Sequence, residues 1–165
     1  MAVLQHITPQ IASSYKSVRL RALRDSPSAF GSTHQRECQF SEQDWLDRVA
    51  NLCSERAVGY LAFHQDKSCG IAACFLGEQE SVTAQLISMW VDPAYRRTGV
   101  GRILVDAIAA WARDRGAHAL QLMVTSSNDA AMEFYRRNGF SMTGHTEPYT
   151  NDPALIEHEM SRSIL

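Results

Sequence analysis

The sequence predicts a mixed α+β (α/β mixed) fold, in which helices flank a mostly antiparallel central sheet of about seven strands. Some segments have the alternating or continuous apolar pattern of strands, and others have the i, i+3, i+4 spacing of amphipathic helices. In chain order they read β-α-α-β-β-β-α-β-α-β-β, so most strands follow one another directly and only the second half contains a β-α-β unit. The composition, 45% hydrophobic and 21% charged, does not shift along the chain, so we expect residues 1–165 to form a single domain.

The first third of the chain predicts one strand and two helices. Residues 3–7 are strand-like, and Thr8-Pro9 then has the residue types of an N-cap with proline at the first helical position. This helix would end at Ser26-Pro27, and its buried face would carry Ile11, Tyr15, Val18 and Ala22. Ser41 and Asp44 have the spacing of a capping box, which predicts that a second helix begins there.

Three strands are predicted in the middle of the chain. Residues 57–64 and 69–76 are rich in apolar and aromatic side chains, and the polar segment 65–68 between them predicts a hairpin turn. The third strand, at about 83–91, ends at Asp92-Pro93 because proline cannot continue a central ladder.

The second half predicts two helices that alternate with strands. The apolar spacing from Val100 indicates a long amphipathic helix that ends at Gly116, and a strand follows at about 120–124. Residues 126–129 open another helix, which closes at Gly139. The last two strands are expected near 140–145 and 155–162.

Charge and hydropathy argue against several classes of protein. The formal net charge is -2 and the 16 lysines and arginines are scattered, so the chain lacks the positive field of nucleic-acid-binding proteins. Its apolar runs are shorter than the ~20 residues that span a bilayer, and its first residues do not resemble a secretory signal. We therefore expect a cytoplasmic protein that binds neither nucleic acid nor a membrane. The four cysteines lack metal-ligand spacing, so we expect reduced thiols and no metal.

The turn before the long helix has the chemistry of a phosphate site. A strand that leads through glycines into a helix leaves backbone N–H groups unpaired at the positive end of the helix dipole. Gly99 and Gly101 would let an anion approach the backbone closely, and Arg96, Arg97 and Arg102 add positive charge there. Cations at a helix N-terminus oppose the dipole, so an anionic ligand would explain their presence.

Two familiar phosphate loops do not fit these residues. A P-loop requires lysine and then serine or threonine after its last glycine, whereas Arg102-Ile103 follows Gly101. A dinucleotide-binding turn requires a third small residue at the position of Leu104. The turn therefore belongs to another class of anion site.

Two longer motifs carry a more specific resemblance. The first is Val91-x-Pro93-x-x-Arg96-x-x-Gly99-x-Gly101, and the second is Asn128-x-x-Ala131-x-x-Phe134-Tyr135-x-x-x-Gly139-Phe140. Together they resemble the GNAT superfamily of N-acetyltransferases over about residues 83 to 145, and the order of helices and strands on both sides agrees with that fold. The resemblance implies an enzyme that uses acetyl-CoA as cosubstrate and an amine as acceptor.

The resemblance also implies a role for each matching residue. The backbone of Met89, Trp90 and Val91 would pair with the pantetheine arm of acetyl-CoA, on a strand that splays from its neighbour. The loop that would hold the pyrophosphate, with Arg96 just before it, consists of Arg97, Thr98, Gly99, Val100, Gly101 and Arg102. Asn128 would bond the pantetheine, beside Ala131 and Phe134. Tyr135 would protonate the departing CoA thiolate as a general acid.

The implied reaction is direct attack of a neutral amine on the thioester. The N–H group of Trp90 or Val91 would steady the negative charge that develops on the carbonyl oxygen. A covalent route through Cys69 or Cys74 is disfavoured, because neither cysteine has a histidine or an acidic partner that the sequence makes evident.

The general base is open at this stage. Many relatives place a glutamate or aspartate on the strand before the loop, but residues 86–91 contain neither. The candidates elsewhere are Glu37, His64 and Glu157. Without a strong base, an α-amino group is an easier acceptor than a lysine, because its deprotonation at neutral pH costs ~3.5 kcal/mol less. This favours α-amines or weakly basic small molecules.

Simpler interpretations compete with some of these roles. Periodicity alone explains Trp45, Phe63, Trp111 and Phe134 as core residues, and Tyr135 could be a packing residue with a solvated hydroxyl. Segment 29–31 is either a turn or part of the acceptor site, and we favour the acceptor site. The chain could also be an acetyl-CoA sensor without turnover, or could transfer a different acyl group. Pairing of exposed strands could make a homodimer.

Overall fold

The computed structural model describes residues 1–78 and 82–165 and has the predicted mixed α+β architecture. The helices are α1 (Ala12–Asp25), α2 (His34–Glu37), α3 (Glu42–Asn51), α4 (Val100–Asp114) and α5 (Asp129–Arg137). The strands are β1 (Val3–His6), β2 (Cys53–Ser54), β3 (Ala57–His64), β4 (Lys67–Leu76), β5 (Thr83–Val91), β6 (Ala119–Thr125), β7 (Ser141–Pro148) and β8 (Ile156–Ser163). None of the helices in these described parts of the chain is long and apolar enough to cross a membrane.

The strands form one sheet in the order β1-β3-β4-β5-β6-β8-β7, with β2 paired to β3. Every pairing is antiparallel except that of β5 with β6. This exception is the predicted β-α-β unit, in which α4 connects two parallel strands. The strand beyond the expected seven is β2, whose two residues are too few to show a period.

Several element boundaries differ from the prediction. Pro9–Ile11 form a 3-10 turn and α1 begins at Ala12, while the side chain of Thr8 makes no capping hydrogen bond. Because β4 begins at Lys67, the hairpin turn consists of Gln65-Asp66 alone, and Gln65 has a φ of 55°. The short helix α2 was not predicted, since four residues cannot show a helical period.

Local capping signals are confirmed at three other helix ends. The Ser41 Oγ accepts from the Asp44 N–H (3.1 Å), and the Asp44 carboxylate accepts from the Ser41 N–H (2.9 Å), which completes the capping box of α3. Gly116 and Gly139, at φ +88° and +90°, follow α4 and α5 in the left-handed conformation that glycine favours at such ends.

The two faces of the sheet carry separate hydrophobic cores. On one face α1 and α3 pack against the sheet, and the buried residues include Val18, Trp45, Leu61, Ile71 and Trp90. On the other face α4 packs with α5, and the buried residues include Cys74, Leu86, Leu104, Trp111, Leu120 and Tyr135. The expected core positions Trp45 and Trp111 are therefore buried, and Phe63 and Phe134 pack partly buried beside these cores. This two-sided packing holds β4 and β5 firmly, next to the place where the sheet opens.

Candidate active site

The sheet opens between β5 and β6. The two strands pair only from Thr83 with Ala119 to Gln85 with Gln121, after which β5 follows β4 and β6 follows β8. A cavity of about 1230 Å³ occupies the gap. It reaches the turn before α4 on one face and the segment between α1 and α2 on the other. The predicted splay of this strand is therefore present.

A one-residue bulge accompanies the splay. Ile87 pairs with Ala73 while Trp90 pairs with Ile71, so β5 contains one extra residue in this interval. Ser88, within the bulge, has a φ of 56°, which is uncommon for a residue other than glycine. The bulge lies in the wall of the cavity, where it redirects the end of β5.

A buried ion-pair network holds the bulge. Arg19 on α1 donates to Ser88 Oγ (3.0 Å) and to both carboxylate oxygens of Glu37 (2.9 Å each), and Arg48 also pairs with Glu37 (3.0 Å). Burial raises the pKa of Glu37, but the hydrogen bonds and charge of Arg19 outweigh it, so this pKa lies below its ordinary value. With both oxygens occupied, Glu37 is poorly placed as a general base. The sequence signal for this network was a charge, Arg19, within the apolar stripe of α1.

The turn before α4 presents unpaired backbone donors. Among the described residues, no group accepts a hydrogen bond from the N–H groups of residues 97–102. Arg97 and Gly99 have positive φ angles of 63° and 93°, and the space beside the Gly99 Cα is open. The side chains of Arg97 and Arg102 are exposed at the same turn. These features fit a diphosphate group of the kind that acetyl-CoA carries.

Gly101 serves the packing of two helices. A Cβ at this position would lie 2.7 Å from Phe134 Cε1, closer than real side chains approach one another. Gly101 therefore allows α4 and α5 to meet, which differs from the close anion approach expected from the sequence. Phe134 both packs on this glycine and lines the cavity.

Arg96 anchors the turn to α1. Its guanidinium donates to the Asp25 carboxylate (2.6 Å) and to the Val91 carbonyl oxygen (2.9 Å). Asp25 also accepts from the Trp90 indole (2.9 Å). Burial raises the pKa of Asp25, but the hydrogen bonds from Trp90, Ser26 and Arg96 lower it by more. Arg96 thus lines the cavity while its charge is paired with Asp25. Arg102 approaches Asp106 (3.8 Å), and among the described residues Arg97 forms no ion pair.

The backbone geometry distinguishes Val91 from Trp90. The Asp92 N–H donates to the Cys69 carbonyl of β4 (2.9 Å). Successive N–H groups of an extended chain point to opposite edges, so the Val91 N–H points away from β4, towards the gap. The Trp90 N–H points back to β4, where Trp90 pairs with Ile71. Val91 is therefore the better placed of the two expected oxyanion donors.

Asn128 and Tyr135 lie on α5 beside the gap. Asn128 is the N-cap of α5, and its Oδ1 accepts from the Ala131 N–H (3.1 Å), which leaves its amide N–H groups for a ligand. Tyr135 is buried between Phe134 and Phe140, with ring centroids at 5.3 and 5.6 Å. Burial raises the pKa of Tyr135, so its hydroxyl stays protonated at neutral pH.

The cavity gathers the predicted cofactor residues. All of them line it except Thr98, whose hydroxyl donates to the Tyr95 carbonyl, and Val100, which is buried beneath the turn. Residues 28–32, which include the segment 29–31 predicted to line the acceptor site, line its other end. Of the remaining base candidates, Glu157 lines the cavity and His64 does not; the His64 ring packs against Tyr95 (5.5 Å between centroids).

Burial disfavours the thiolate form of the two buried cysteines. Burial raises the pKa of Cys74 to about 12 and also raises that of Cys69. A thiol with a raised pKa provides little thiolate at neutral pH, and the thiolate is the nucleophilic form. This agrees with the expectation that neither cysteine forms a covalent intermediate.

Comparisons with known proteins agree with this geometry. Residues 20–140 match the model of the acetyltransferase (GNAT) family. A mycothiol acetyltransferase of Thermobispora bispora is 29% identical over 78% of this chain and 42% of its own length. A streptothricin acetyltransferase of Streptomyces lavendulae is 46% identical over 45% of this chain and 40% of its own length. The chain thus spans less than half the length of these relatives.

A solved structure shares the fold. The PaiA N-acetyltransferase of Thermoplasma acidophilum, crystallised with coenzyme A, superposes with a TM-score of 0.77 over 99% of both chains at 13% identity. The family match covers well over half of the sequence and includes the splayed strand, the amide-lined turn and α5. The chain therefore belongs to the acetyltransferase (GNAT) family.

Proposed function

We propose that this protein transfers the acetyl group of acetyl-CoA to an amine of a small molecule or of a peptide or protein N-terminus. The observation that carries the proposal is the single cavity that joins the unpaired N–H groups of residues 97–102 to the acceptor segment 28–32 through the gap in the sheet. A diphosphate at the first end and an amine at the second would approach each other within that gap.

The α4 turn and the gap would bind different parts of the cosubstrate. The N–H groups of residues 97–102, with Arg97 and Arg102, would bind the diphosphate. The free edge of β5 from Met89 to Val91 and the amide of Asn128 would pair with the pantetheine arm. When bound there, acetyl-CoA supplies an acetyl group activated as a thioester.

The residues in the gap would then assist the transfer. The Val91 N–H donates to the carbonyl oxygen as negative charge develops on it, and Tyr135 donates its proton to the departing sulfur. The raised pKa of Tyr135 keeps that proton in place until the sulfur takes it. No covalent intermediate with the protein is required, in line with the protonated state of Cys69 and Cys74.

The finer identity of the enzyme is also proposed. The relatives named above are acetyltransferases for mycothiol and for streptothricin, which supports a small-molecule amine as acceptor. We propose a single catalytic domain over residues 1–165, since β1 and β8 lie in the same sheet, and a cytoplasmic location.

A matched pair of variants at Gly99 tests the cofactor site. Aspartate and asparagine both tolerate positive φ, and the space there is open, so Gly99→Asp and Gly99→Asn differ mainly in charge. We expect Gly99→Asp to weaken acetyl-CoA binding at least about tenfold more than Gly99→Asn, measured by calorimetry at low salt, because the carboxylate repels the diphosphate. Equal affinities of the two variants would exclude a diphosphate at this turn.

A panel of amines tests turnover. Release of free CoA from acetyl-CoA, followed with a thiol reagent, should depend on at least one amine, and mass spectrometry should find that amine acetylated. Tight acetyl-CoA binding without release for any amine or any acyl-CoA donor would instead identify a sensor module.

A further inference from the structure

We propose that Glu157 is the general base, which removes the proton from the acceptor amine at the face of the sheet opposite the α4 turn. The proposal rests on the function proposed above and supplies the carboxylate that β5 lacks. It also assigns the acceptor to one side of the gap, since the base must reach the attacking nitrogen.

The register of the sheet places Glu157 on the acceptor side. Glu157 on β8 pairs directly with Thr125 on β6, and side chains of directly paired residues point to the same face. The Thr125 hydroxyl donates to the Ser28 carbonyl oxygen (3.2 Å), so this face is the one covered by segment 28–32. Glu157 therefore enters the cavity from the side opposite α4 and α5.

The carboxylate of Glu157 is free to act. Among the described residues, no side chain forms a hydrogen bond or an ion pair with it, although it is half-buried. The described lining of the cavity contains one other carboxylate, Glu133, which lies on α5 at the opposite end and approaches Arg136 (3.9 Å). Glu37 is occupied by two arginines. Glu157 is thus the carboxylate that an entering amine would meet.

The charges around Glu157 favour a stronger base. Burial and then the charge of Glu147, which lies directly across on β7, raise the pKa of Glu157. Glu159 follows on β8, and His145 pairs with Glu147 (3.0 Å). Strand β6 and segment 26–32 contain no titratable residues.

Cations line the far wall of the cavity. Arg19 and Arg48 lie there, both paired with Glu37.

The proton and bond changes balance in one step. A proton passes from the amine nitrogen to a Glu157 oxygen while the nitrogen forms a bond to the acetyl carbon and the carbon–sulfur bond breaks. Tyr135 gives its proton to the sulfur. Solvent then takes the proton from Glu157 and restores the one on Tyr135, so no further reactant is needed.

The test compares Glu157→Gln with Glu159→Gln, which makes the same charge change two residues along the strand on a side chain outside the cavity lining. We expect Glu157→Gln to lower kcat about 10²- to 10⁴-fold at pH 7 with unchanged affinity for acetyl-CoA, and Glu159→Gln to retain nearly full activity.

The pH profile separates catalysis from structure. In the wild type, a plot of log kcat/KM against pH should have a slope of two below the pKa of Glu157, because the amine and the carboxylate must each lose a proton. Above that pKa only the amine must lose a proton, so the slope should be one. Glu157→Gln should show slope one throughout, and Glu147→Gln should move the break to lower pH. In protein without acetyl-CoA, the ¹³C carboxyl resonance of Glu157 should titrate above its ordinary pKa, and Glu147→Gln should lower that midpoint.

The outcomes distinguish this proposal from the one on which it rests. An active wild type together with a Glu157→Gln variant that keeps its rate and its slope of two would overturn the role of Glu157 and leave the acetyltransferase intact. A wild type that releases no CoA with any amine would overturn both.

Discussion

At the scale of single residues, the site depends on charges that the fold has taken out of water. Glu37 is fully buried and holds Arg19, which in turn holds the Ser88 bulge at the edge of the cavity. Replacing an intact buried ion pair by apolar groups can be neutral, but removing one partner leaves an unpaired charge in the interior. The network therefore links the stability of the protein to the shape of its site.

Glu37→Gln should lower the free energy of unfolding by about 3–5 kcal/mol at pH 7, because Arg19 loses its counter-charge. The pKa of Glu37 is lowered in the folded state, so its contribution is full above its ordinary pKa of 4.5 and is lost as pH falls through the lower folded value. Urea unfolding of the wild type and of Glu37→Gln, at pH 7 and near pH 3, measures both free energies of unfolding. The difference between them should be smaller near pH 3. Glu55→Gln, at an exposed carboxylate, should change stability by less than ~0.5 kcal/mol. A difference in the free energy of unfolding that grows as the pH falls would contradict a stabilising ion pair at Glu37.

Tyr135→Phe should lower kcat about 10²- to 10⁴-fold while the protein keeps its stability, because the ring contacts with Phe134 and Phe140 remain. Burial raises the pKa of Tyr135 above its ordinary value of 10, so the wild type should show no loss of kcat from this group between pH 7 and 10. Steady-state kinetics across that range, with thermal unfolding as the control, measure both effects. Full activity of the phenylalanine variant would remove Tyr135 as the acid.

At the scale of elements, α4 and α5 each carry a signal that serves two purposes. Asn128 caps α5 through its Oδ1 and lines the gap, and Gly101 lies in the first turn of α4 while it makes room for Phe134. The N-terminal ends of α4 and α5 lie close together, since residues of both line the same cavity. A motif that matches a cofactor site is therefore also a packing motif here.

Substitutions of Asn128 can separate the two purposes. Asn128→Asp keeps an oxygen that accepts from the Ala131 N–H but removes the amide donors, whereas Asn128→Ala removes both. We expect Asn128→Ala to cost about 1 kcal/mol of stability and Asn128→Asp to cost almost none. Both should weaken acetyl-CoA binding by calorimetry. If Asn128→Asp binds acetyl-CoA as tightly as the wild type, Asn128 is a cap and nothing more.

At the scale of the whole molecule, the connection between β7 and β8 holds the segment that we propose to bind the acceptor. Tyr149, in the β7–β8 connection, donates its hydroxyl to the Phe30 carbonyl oxygen (2.5 Å), and Asn151 donates to the carbonyls of Phe30 and Ser32 (3.2 and 3.3 Å). These bonds join positions more than a hundred residues apart. They fix segment 28–32 over the cavity.

Tyr149→Phe should loosen that segment without unfolding the protein. The hydroxyl donates to the Pro27 and Phe30 carbonyls and accepts from the Asn151 amide. Its loss removes hydrogen bonds worth about 1 kcal/mol each, which should speed amide exchange in residues 28–32 at least about fivefold and raise KM for the amine. The affinity for acetyl-CoA should not change, because its proposed contacts lie across the gap. Hydrogen exchange followed by mass spectrometry measures the loosening, with Tyr60→Phe on β3 as the control. Uniformly faster exchange across the chain would point to global destabilisation instead.

The sequence predicted those parts of the fold that local chemistry decides. Apolar periodicity located α4, the Asp92-Pro93 step marked the end of β5, the capping box located α3, and the glycines at 116 and 139 marked helix ends. The short elements α2 and β2 left no period to detect. The motif from Val91 to Gly101 likewise identified the turn before α4, because unpaired N–H groups at a helix start are a local property.

By itself, then, the sequence determined the class of fold, the family and the turn that we propose to bind an anion, since each rests on residues close together along the chain. Only the tertiary structure decided which distant groups share the cavity. It paired Arg96 with Asp25, enclosed Glu37 between two arginines, turned the Val91 N–H to the gap, and placed Glu157 opposite Thr125. These outcomes depend on strand register and on contacts between residues that the sequence separates widely, and no local pattern encodes them.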